Sequence, residues 1–202
     1  MSIDYTVIAS GSRGNAVLIE DVLVDIGVPF KALKEYLYNV KYIIITHIHS
    51  DHLRLATYKK IKQLFPNIVF IANWEVASKV EIDYLVNAGY PLTVGEYTFA
   101  PFELIHDVLC YGYTWEVNDK RIIYATDTHS LKNAPDAKYD YMFLESNYDP
   151  NKIKMVKPTR GYDARLSALR HLSTFDSKQF YYTHRRDENS EWIELHKSSR
   201  FY

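Results

Sequence analysis

Apolar residues recur along the chain at two spacings, one typical of strands and one typical of helices. Apolar and polar residues alternate through residues 3–9, which indicates a half-buried strand. Residues 42–45 form a continuous apolar run, as expected of a strand that is covered on both faces. Residues 53–65 carry apolar side chains at helical spacing, and Pro66 follows them, so this segment is predicted to be a helix.

The same criteria divide the rest of the chain into alternating strands and helices. Strands are predicted in a hairpin at 17–24, at 68–72, in a β-rich stretch between 97 and 125, at 141–144 and at 179–183, and helices at 29–38, 76–88 and 163–175. No linker or repeat interrupts this order. The pattern predicts one α/β domain over residues 1–202, with two sheets packed face to face and helices outside.

Composition and charge narrow the range of functions. The chain has 202 residues and a formal net charge of −1, which does not indicate a strongly basic nucleic-acid binder at the level of the whole chain. Its one cysteine, Cys110, lies in an apolar stretch and is expected to be a small buried side chain. With no signal-peptide pattern and no apolar stretch long enough to span a membrane, we expect a cytoplasmic protein without a membrane partner.

The densest group of chemically active residues is the run Thr46 to His52, which reads Thr-His-Ile-His-Ser-Asp-His directly after a predicted buried strand. In a turn that leads into a helix, His47 and His49 can face one metal ion, and Asp51 and His52 a second. Such donors suit zinc, and also manganese or iron. Alternatively, Asp51 could cap the following helix, but a cap does not explain three histidines.

Three more residues of metal-ligand type follow predicted strands: His106, Asp127 and His184. Each could by itself be a surface loop residue. Together with the run they complete two coordination shells, of which one comprises His47, His49 and His106 and the other Asp51, His52 and His184, with Asp127 as the bridge. An anionic bridge offsets the repulsion between two cations about 3.5–4 Å apart.

The remaining histidines receive less weight. His129 lies two residues beyond Asp127 and could support a ligand or be exposed. His171 falls inside a predicted helix and His196 lies near the end of the chain, so both are interpreted as packing or surface residues.

At this point the motifs match a known family. The order Val24-Asp25-Ile26-Gly27, Thr46 to His52, His106, Asp127 and His184 resembles that of the metallo-β-lactamase-fold hydrolases over nearly the whole chain. The resemblance implies an αββα sandwich of two mixed sheets. The chain is most similar to the YycJ-type branch, through the segments 9–16, 23–27, 101–107, 125–127 and 144–147.

The resemblance also implies a mechanism. Two cations hold a hydroxide that attacks the substrate, with Asp51 and His52 as catalytic residues as well as ligands and Asp25 orienting a ligand histidine. Departures from the branch pattern bear on the substrate. The branch has Gly-His-Leu-Ser near the late helix, and the comparable stretch is taken to be 164–167, so that Arg165 stands where a histidine would be. Tyr148 likewise stands where the branch often has histidine.

The sequence predicts a phosphodiesterase that acts on nucleic acid or on a cyclic nucleotide. Four residues are candidates for contacts with a nucleotide or a single strand: Arg13, Asn147, Arg165 and Arg185. A thioester or lactone hydrolase and an idle ligand-binding member of the fold are the alternatives. The chain lacks the large inserted domain of RNase J-type nucleases, and compact members occur in phages, where the location would be the host cytoplasm. A homodimer is compatible with this interpretation.

Overall fold

The computed structural model describes residues 2–156, 164–198 and 202, and it arranges the strands in two sheets of six. The first sheet contains β1 (Tyr5–Ala9), β2 (Ala16–Ile19), β3 (Val22–Val24), β4 (Tyr42–Ile45), β5 (Val69–Ala72) and β6 (Tyr84–Leu85), and the second contains β7 (Leu92–Val94), β8 (Tyr97–Leu104), β9 (Cys110–Val117), β10 (Lys120–Ala125), β11 (Tyr141–Glu145) and β12 (Glu191–Leu195). The helices are α1 (Phe30–Leu33), α2 (Leu55–Leu64), α3 (Trp74–Ala77), α4 (Pro150–Lys154), α5 (Ala164–Ala168) and α6 (Thr174–His184).

Both sheets are mixed, and within each sheet the strands follow one another in chain order. In the first sheet β1, β2 and β3 pair antiparallel, and β3 to β6 pair parallel. In the second sheet β7 to β10 pair antiparallel, and β10 to β12 pair parallel. The carboxyl ends of the parallel strands therefore meet at one edge of each sheet.

The main hydrophobic core joins the facing surfaces of the two sheets. It contains Ile44 and Ile71 from the first sheet and Tyr113, Tyr124 and Phe143 from the second. The opposite faces are covered by helices: Ile43 and Phe70 pack with α2, and Met142 packs near Phe180 of α6. Because β4 and β11 are buried on both faces, they are the continuous apolar runs that the sequence predicted to be strands. The predicted face-to-face sandwich is confirmed.

The predicted strand at 179–183 is wrong, because these residues lie inside α6. Phe180 and Tyr181 are partly buried against the second sheet, whereas Tyr182 is exposed. An apolar run of this length does not distinguish a strand from one buried side of a helix. The true N-terminus of the helix is set by Ser173, whose hydroxyl accepts a hydrogen bond from Asp176 N at 3.1 Å. The last strand is β12, which the sequence analysis did not predict.

Three predicted helices are shorter in the structure. The segment 29–38 is helical only in α1, and 163–175 contains the five-residue α5 and then a bend before α6. The segment 76–88 ends its helix at Ala77 and contains β6. The carboxylate of Asp83 accepts a hydrogen bond from Phe70 N at 2.7 Å, which holds this part of the chain beside β5.

Within the described ranges, none of the helices has the length and apolar character needed to cross a membrane.

Candidate metal centre

Polar residues gather where the strands end. Asp25 follows β3, Asp127 follows β10 and His196 follows β12, and each has a positive φ, of 64°, 54° and 53°. Residues other than glycine adopt this backbone conformation at a cost that the surroundings must offset, and such residues concentrate at functional sites. The strained turns aim these three side chains at the same edge of the sandwich.

The run 47–52 is held against the first sheet by close backbone packing. Ile26 N donates to His52 O at 2.9 Å, and Asn15 N donates to Asp51 O at 2.7 Å. A Cβ added at Gly27 would lie 1.6 Å from Asp51 O, so only glycine allows the run to pack here. The glycine at position 27 of the motif 24–27 is therefore required by this close packing.

Three imidazoles form the first group of candidate ligands. His47 Nε2 lies 3.1 Å from His49 Nδ1, and His106 Nε2 lies 3.2 Å from the same atom. Burial and the neighbouring His52 keep the pKa of His47 well below its usual value, so its ring is neutral and can donate a lone pair. Three nitrogens converging in this way match a site that binds a cation by histidine.

His52 lies between two carboxylates in the interior. Its Nδ1 is 2.6 Å from Asp25 Oδ2, and its Nε2 is 2.8 Å from Asp127 Oδ2. Burial disfavours its charged form, but the charges of Asp25 and Asp127 outweigh burial and raise the pKa of His52. Asp25 also accepts hydrogen bonds from the backbone and hydroxyl of Thr46, which fixes the carboxylate behind the imidazole. A carboxylate in this position fixes the orientation of the imidazole.

The second group consists of Asp51, His52 and His196, whose donor atoms lie within 4.8 Å of one another. His196 is buried, and its Nε2 has no hydrogen-bond partner. An unpaired polar atom in the interior costs free energy, whereas a metal ion in contact with it would remove that cost. Asp51 is the most accessible member, with its side chain 26% exposed.

Asp127 connects the two groups. Its carboxylate lies within 4.8 Å of the ligand nitrogens of His47 and His52, and also within 4.8 Å of those of His171 and His196. Burial raises its pKa, but the charges of His196 and His52 outweigh burial and hold the pKa well below the usual range. A buried anionic carboxylate between two sets of nitrogen donors fits a ligand shared by two cations. The donor set as a whole therefore fits divalent metal ions.

A buried carboxylate that the sequence analysis did not single out lies behind the cluster. Glu145 is fully buried at the end of β11, and its Oε1 lies 2.7 Å from His171 Nδ1 and 2.9 Å from His196 Nδ1. Its Oε2 accepts a hydrogen bond from Thr128 N at 2.8 Å. Burial opposes the ionised form of Glu145, but hydrogen bonds that it accepts from His171 and His196 lower its pKa. Glu145 thus orients both imidazoles.

His184 is not part of this cluster, and its assignment as a ligand has to be corrected. It is the last residue of α6, where its ring stacks on Phe180 at a centroid distance of 3.9 Å. Its Nε2 lies 3.7 Å from the exposed Asp136. The place expected for His184 is taken by His196, which, unlike His184, directly follows a strand. A histidine directly after a strand could have been recognised as a candidate ligand, but β12 itself was not predicted.

The match of Gly-His-Leu-Ser to residues 164–167 also has to be corrected. His171, Leu172 and Ser173 carry the His-Leu-Ser part of that pattern, and His171 faces the cluster beside Glu145. The histidine is therefore present, and Arg165 does not replace it. Burial lowers the pKa of His171, but its hydrogen bond to Glu145 outweighs burial and raises the pKa above the usual value.

The other predicted substrate contacts differ in position. Asn147 is buried, and its Nδ2 donates to His196 O at 2.8 Å, so its amide holds the backbone at His196. Arg13 is exposed in the loop after β1, and Arg165 is half-buried on α5. Arg185 follows α6 and lies over the ring of Tyr182, with the guanidinium carbon 5.1 Å from the ring centroid. Tyr148 is buried and packs with Ile153 of α4.

Cys110 is fully buried, as expected, and burial raises the pKa of its thiol well above the usual value. The thiol is therefore unreactive, and Cys110 packs beside the cluster with its Sγ 3.6 Å from His47 Nδ1.

Comparison with known proteins places the fold. The chain is 25% identical over 203 residues to exodeoxyribonuclease WalJ of Streptococcus pneumoniae, covering 87% of this chain and 74% of the relative. It is 24% identical over 177 residues to exodeoxyribonuclease YycJ of Bacillus anthracis, covering 77% of this chain and 67% of the relative. The metallo-β-lactamase-fold protein YhfI of Bacillus subtilis superposes with a TM-score of 0.74 over 98% of this chain and 87% of that chain, at 17% identity.

This chain is a metallo-β-lactamase-fold protein. It is a distant relative of the YycJ/WalJ-type branch, as the sequence motifs predicted. The short form of human tRNase Z has the same fold, with a TM-score of 0.69, 16% identity and coverage of 97% of this chain and 93% of that chain. No family model matches the chain.

Proposed function

We propose that this protein is a metal-dependent phosphodiesterase that acts on nucleic acid. The observation that carries the proposal is the convergence of nitrogen and carboxylate donors from two sides on the buried carboxylate of Asp127. The distant relationship to two exodeoxyribonucleases supports a nucleic-acid substrate.

The ligands divide between two cations. His47, His49 and His106 would hold one, and Asp51, His52 and His196 the other, with Asp127 shared. The predominance of imidazole favours zinc, with manganese or iron as alternatives. When bound, the cations supply Lewis-acid stabilisation of the phosphate oxygens and lower the pKa of a water molecule.

The protein itself supplies groups that take up and donate protons. Asp51 is the most exposed carboxylate of the cluster and is suited to accept a proton from the attacking water. His171 also lies beside Asp127, with its Nδ1 3.8 Å from Asp127 Oδ1 and its side chain 19% exposed. Held through Nδ1 by Glu145, its ring is positioned to donate a proton to the leaving oxygen.

A panel of substrates tests the proposal. Purified protein loaded with zinc or manganese would be given labelled single-stranded DNA and RNA, cyclic mononucleotides, bis-p-nitrophenyl phosphate and a thioester. We expect cleavage of the phosphodiesters, strongest for a nucleic-acid strand, and no comparable cleavage of the thioester.

Asp51→Ala should lower phosphodiester cleavage by at least about 100-fold, because it removes both a ligand and the proton acceptor. Glu35→Ala, at an exposed carboxylate after α1, is the control. Thioester cleavage alone, or an unchanged rate in Asp51→Ala, would refute the proposed function.

A further inference from the structure

The outer face of α6 carries aromatic and cationic side chains in a single line. Phe175, Lys178 and Tyr182 are spaced by three and four residues, which places them on one side of the helix, and Arg185, the residue directly after the helix, lies over the ring of Tyr182. Phe175 is 65% exposed and Tyr182 is 54% exposed. We refer to these four residues as the α6 stripe. Large aromatic rings exposed to this extent beside cations are more typical of a binding surface than of a solvated helix face.

The cations of the α6 stripe are paired with aromatic rings. Lys178 Nζ lies 6.0 Å from the Tyr182 ring centroid, and the Arg185 guanidinium lies 5.1 Å from the same centroid. In the described part of the chain neither cation has a carboxylate within ion-pair distance, in contrast to Arg186, whose Nε lies 3.0 Å from Asp140. Both positive charges are therefore available to an anion.

Two acidic side chains near the stripe are held by local hydrogen bonds. The carboxylate of Asp176 accepts a hydrogen bond from the Ser173 hydroxyl at 2.6 Å, at the start of the helix. Asp187 accepts one from Asn189 N at 2.8 Å, in the turn after Arg185. Lys138 adds a further cation at the far end, where its Nζ donates to Thr183 O at 2.8 Å.

One end of the stripe is joined through the chain to residues of the metal centre. Phe175 lies four residues beyond His171, and Thr174 N donates to Tyr148 O at 2.9 Å, close to the loop that holds His196. From there the eleven residues of α6 lead away for about 16 Å. The Phe175 end of the stripe is therefore the end that adjoins His171 in the chain.

We propose that the α6 stripe is a track for single-stranded nucleic acid, on which bases stack against Phe175 and Tyr182 while Lys178 and Arg185 face phosphates. Stacking on aromatic rings combined with backbone contacts to cations is how proteins hold single strands without reading their sequence. This inference rests on the proposed function and makes it more specific, because it selects a polymeric single strand over a cyclic nucleotide as the substrate.

Binding of a labelled oligothymidylate with nuclease-resistant phosphorothioate links, measured by fluorescence anisotropy on the metal-loaded protein, tests the track. The double variant Phe175→Ala/Tyr182→Ala should bind at least about tenfold more weakly, since each stacked base contributes strongly to affinity. Tyr90→Ala is the control, because Tyr90 is 75% exposed and lies between β6 and β7. The control should bind like the wild type.

The salt dependence tests the cations separately. Lys178→Gln/Arg185→Gln should reduce the slope of log K against log salt by about 1.4, the value for two phosphate contacts on a single strand. Lys59→Gln/Lys60→Gln on α2 removes the same number of charges and should leave the slope unchanged.

Cleavage assays distinguish a failure of the proposed track from a failure of the proposed phosphodiesterase function. In the stripe variants the ratio of kcat/KM on the oligonucleotide to kcat/KM on bis-p-nitrophenyl phosphate should fall by about tenfold or more. Wild-type affinity and an unchanged ratio in both double variants would overturn the track and leave the phosphodiesterase intact. The track would also be refuted if the wild type cleaved bis-p-nitrophenyl phosphate but did not bind the oligonucleotide. Absence of all phosphodiester cleavage by the wild type would instead contradict the proposed function.

Discussion

The two halves of the metal centre are built differently. The half on the first sheet comes from one run of six residues, in which a tight turn brings His52 N to within 2.9 Å of His49 O. The half on the second sheet comes from five separate places in the chain: His106, Asp127, Glu145, His171 and His196. Local sequence therefore determines the first half, and tertiary packing determines the second.

This difference determines which substitutions should disrupt the metal centre most. In the first half, the backbone of the run is fixed by neighbours such as Gly27, and loss of one side chain leaves the others in place. In the second half, one buried carboxylate, Glu145, orients two imidazoles from distant segments. The variants below test how far the two halves depend on each other.

The largest effect is expected for His196→Ala. Loss of supporting residues around a metal typically costs 10- to 100-fold, and loss of a direct ligand should cost more, so kcat/KM should fall by about 10³-fold. His184→Ala is the matched control and should retain activity, because His184 lies at the far end of α6. The reverse outcome, with His184 required and His196 dispensable, would restore the original assignment.

A smaller and substrate-dependent loss is expected for His171→Ala. If His171 protonates the leaving oxygen, cleavage of an oligonucleotide should fall by about 10²-fold. Cleavage of bis-p-nitrophenyl phosphate should fall much less, because p-nitrophenolate leaves without protonation. Equal losses on both substrates would mean that His171 only helps to hold the cluster.

Asp25→Asn tests the support of the first half. The amide cannot replace the charge beside His52 Nδ1, so metal affinity should fall by about tenfold, as measured by competition with a chelator. The fold should be retained, because the amide has nearly the same shape. Unchanged affinity would show that the run 47–52 is organised by its backbone alone.

The smallest effect is expected for a substitution of Asp140. Asp140 directly precedes β11, whereas Glu145 is the last residue of that strand. Burial opposes its ionised form, but hydrogen bonds from Arg121 N and Lys120 and the charge of Arg186 lower its pKa. A lowered folded-state pKa means that this stabilisation is present above the unfolded value of about 3.9 and is lost as the pH falls through the folded value.

Asp140→Asn should therefore lower the free energy of unfolding at pH 7 by about 1 kcal/mol, and the difference from wild type should shrink below about pH 4. Denaturant unfolding at several pH values measures it. A difference that does not change with pH would show that the carboxylate charge contributes nothing at this end of β11.

The sequence predicted those features whose signals are local. The buried strands β4 and β11 are continuous apolar runs, and the run 47–52 is a dense pattern directly after a strand. The resemblance to the metallo-β-lactamase fold rested on these signals, and the fold is confirmed.

The errors occurred where tertiary contacts decide the structure. The apolar residues Phe180 and Tyr181 resemble a strand in sequence, but they are the buried side of a helix against the second sheet. In β12 the residues Glu191 and Glu194 interrupt the apolar pattern, so neither the strand nor His196 after it was recognised. His171 was assigned to a helix interior, although the chain bends there to reach Glu145.

The central claim, that two groups of donors meet at Asp127 and that His196 completes the second, is tested most directly by counting metal ions. Elemental analysis of the purified, dialysed protein should give about two divalent ions per chain for the wild type and for His184→Ala, and about one for His196→Ala. A wild type that retains no metal, or a His196→Ala variant that retains as much as the wild type while His184→Ala loses an ion, would contradict this account.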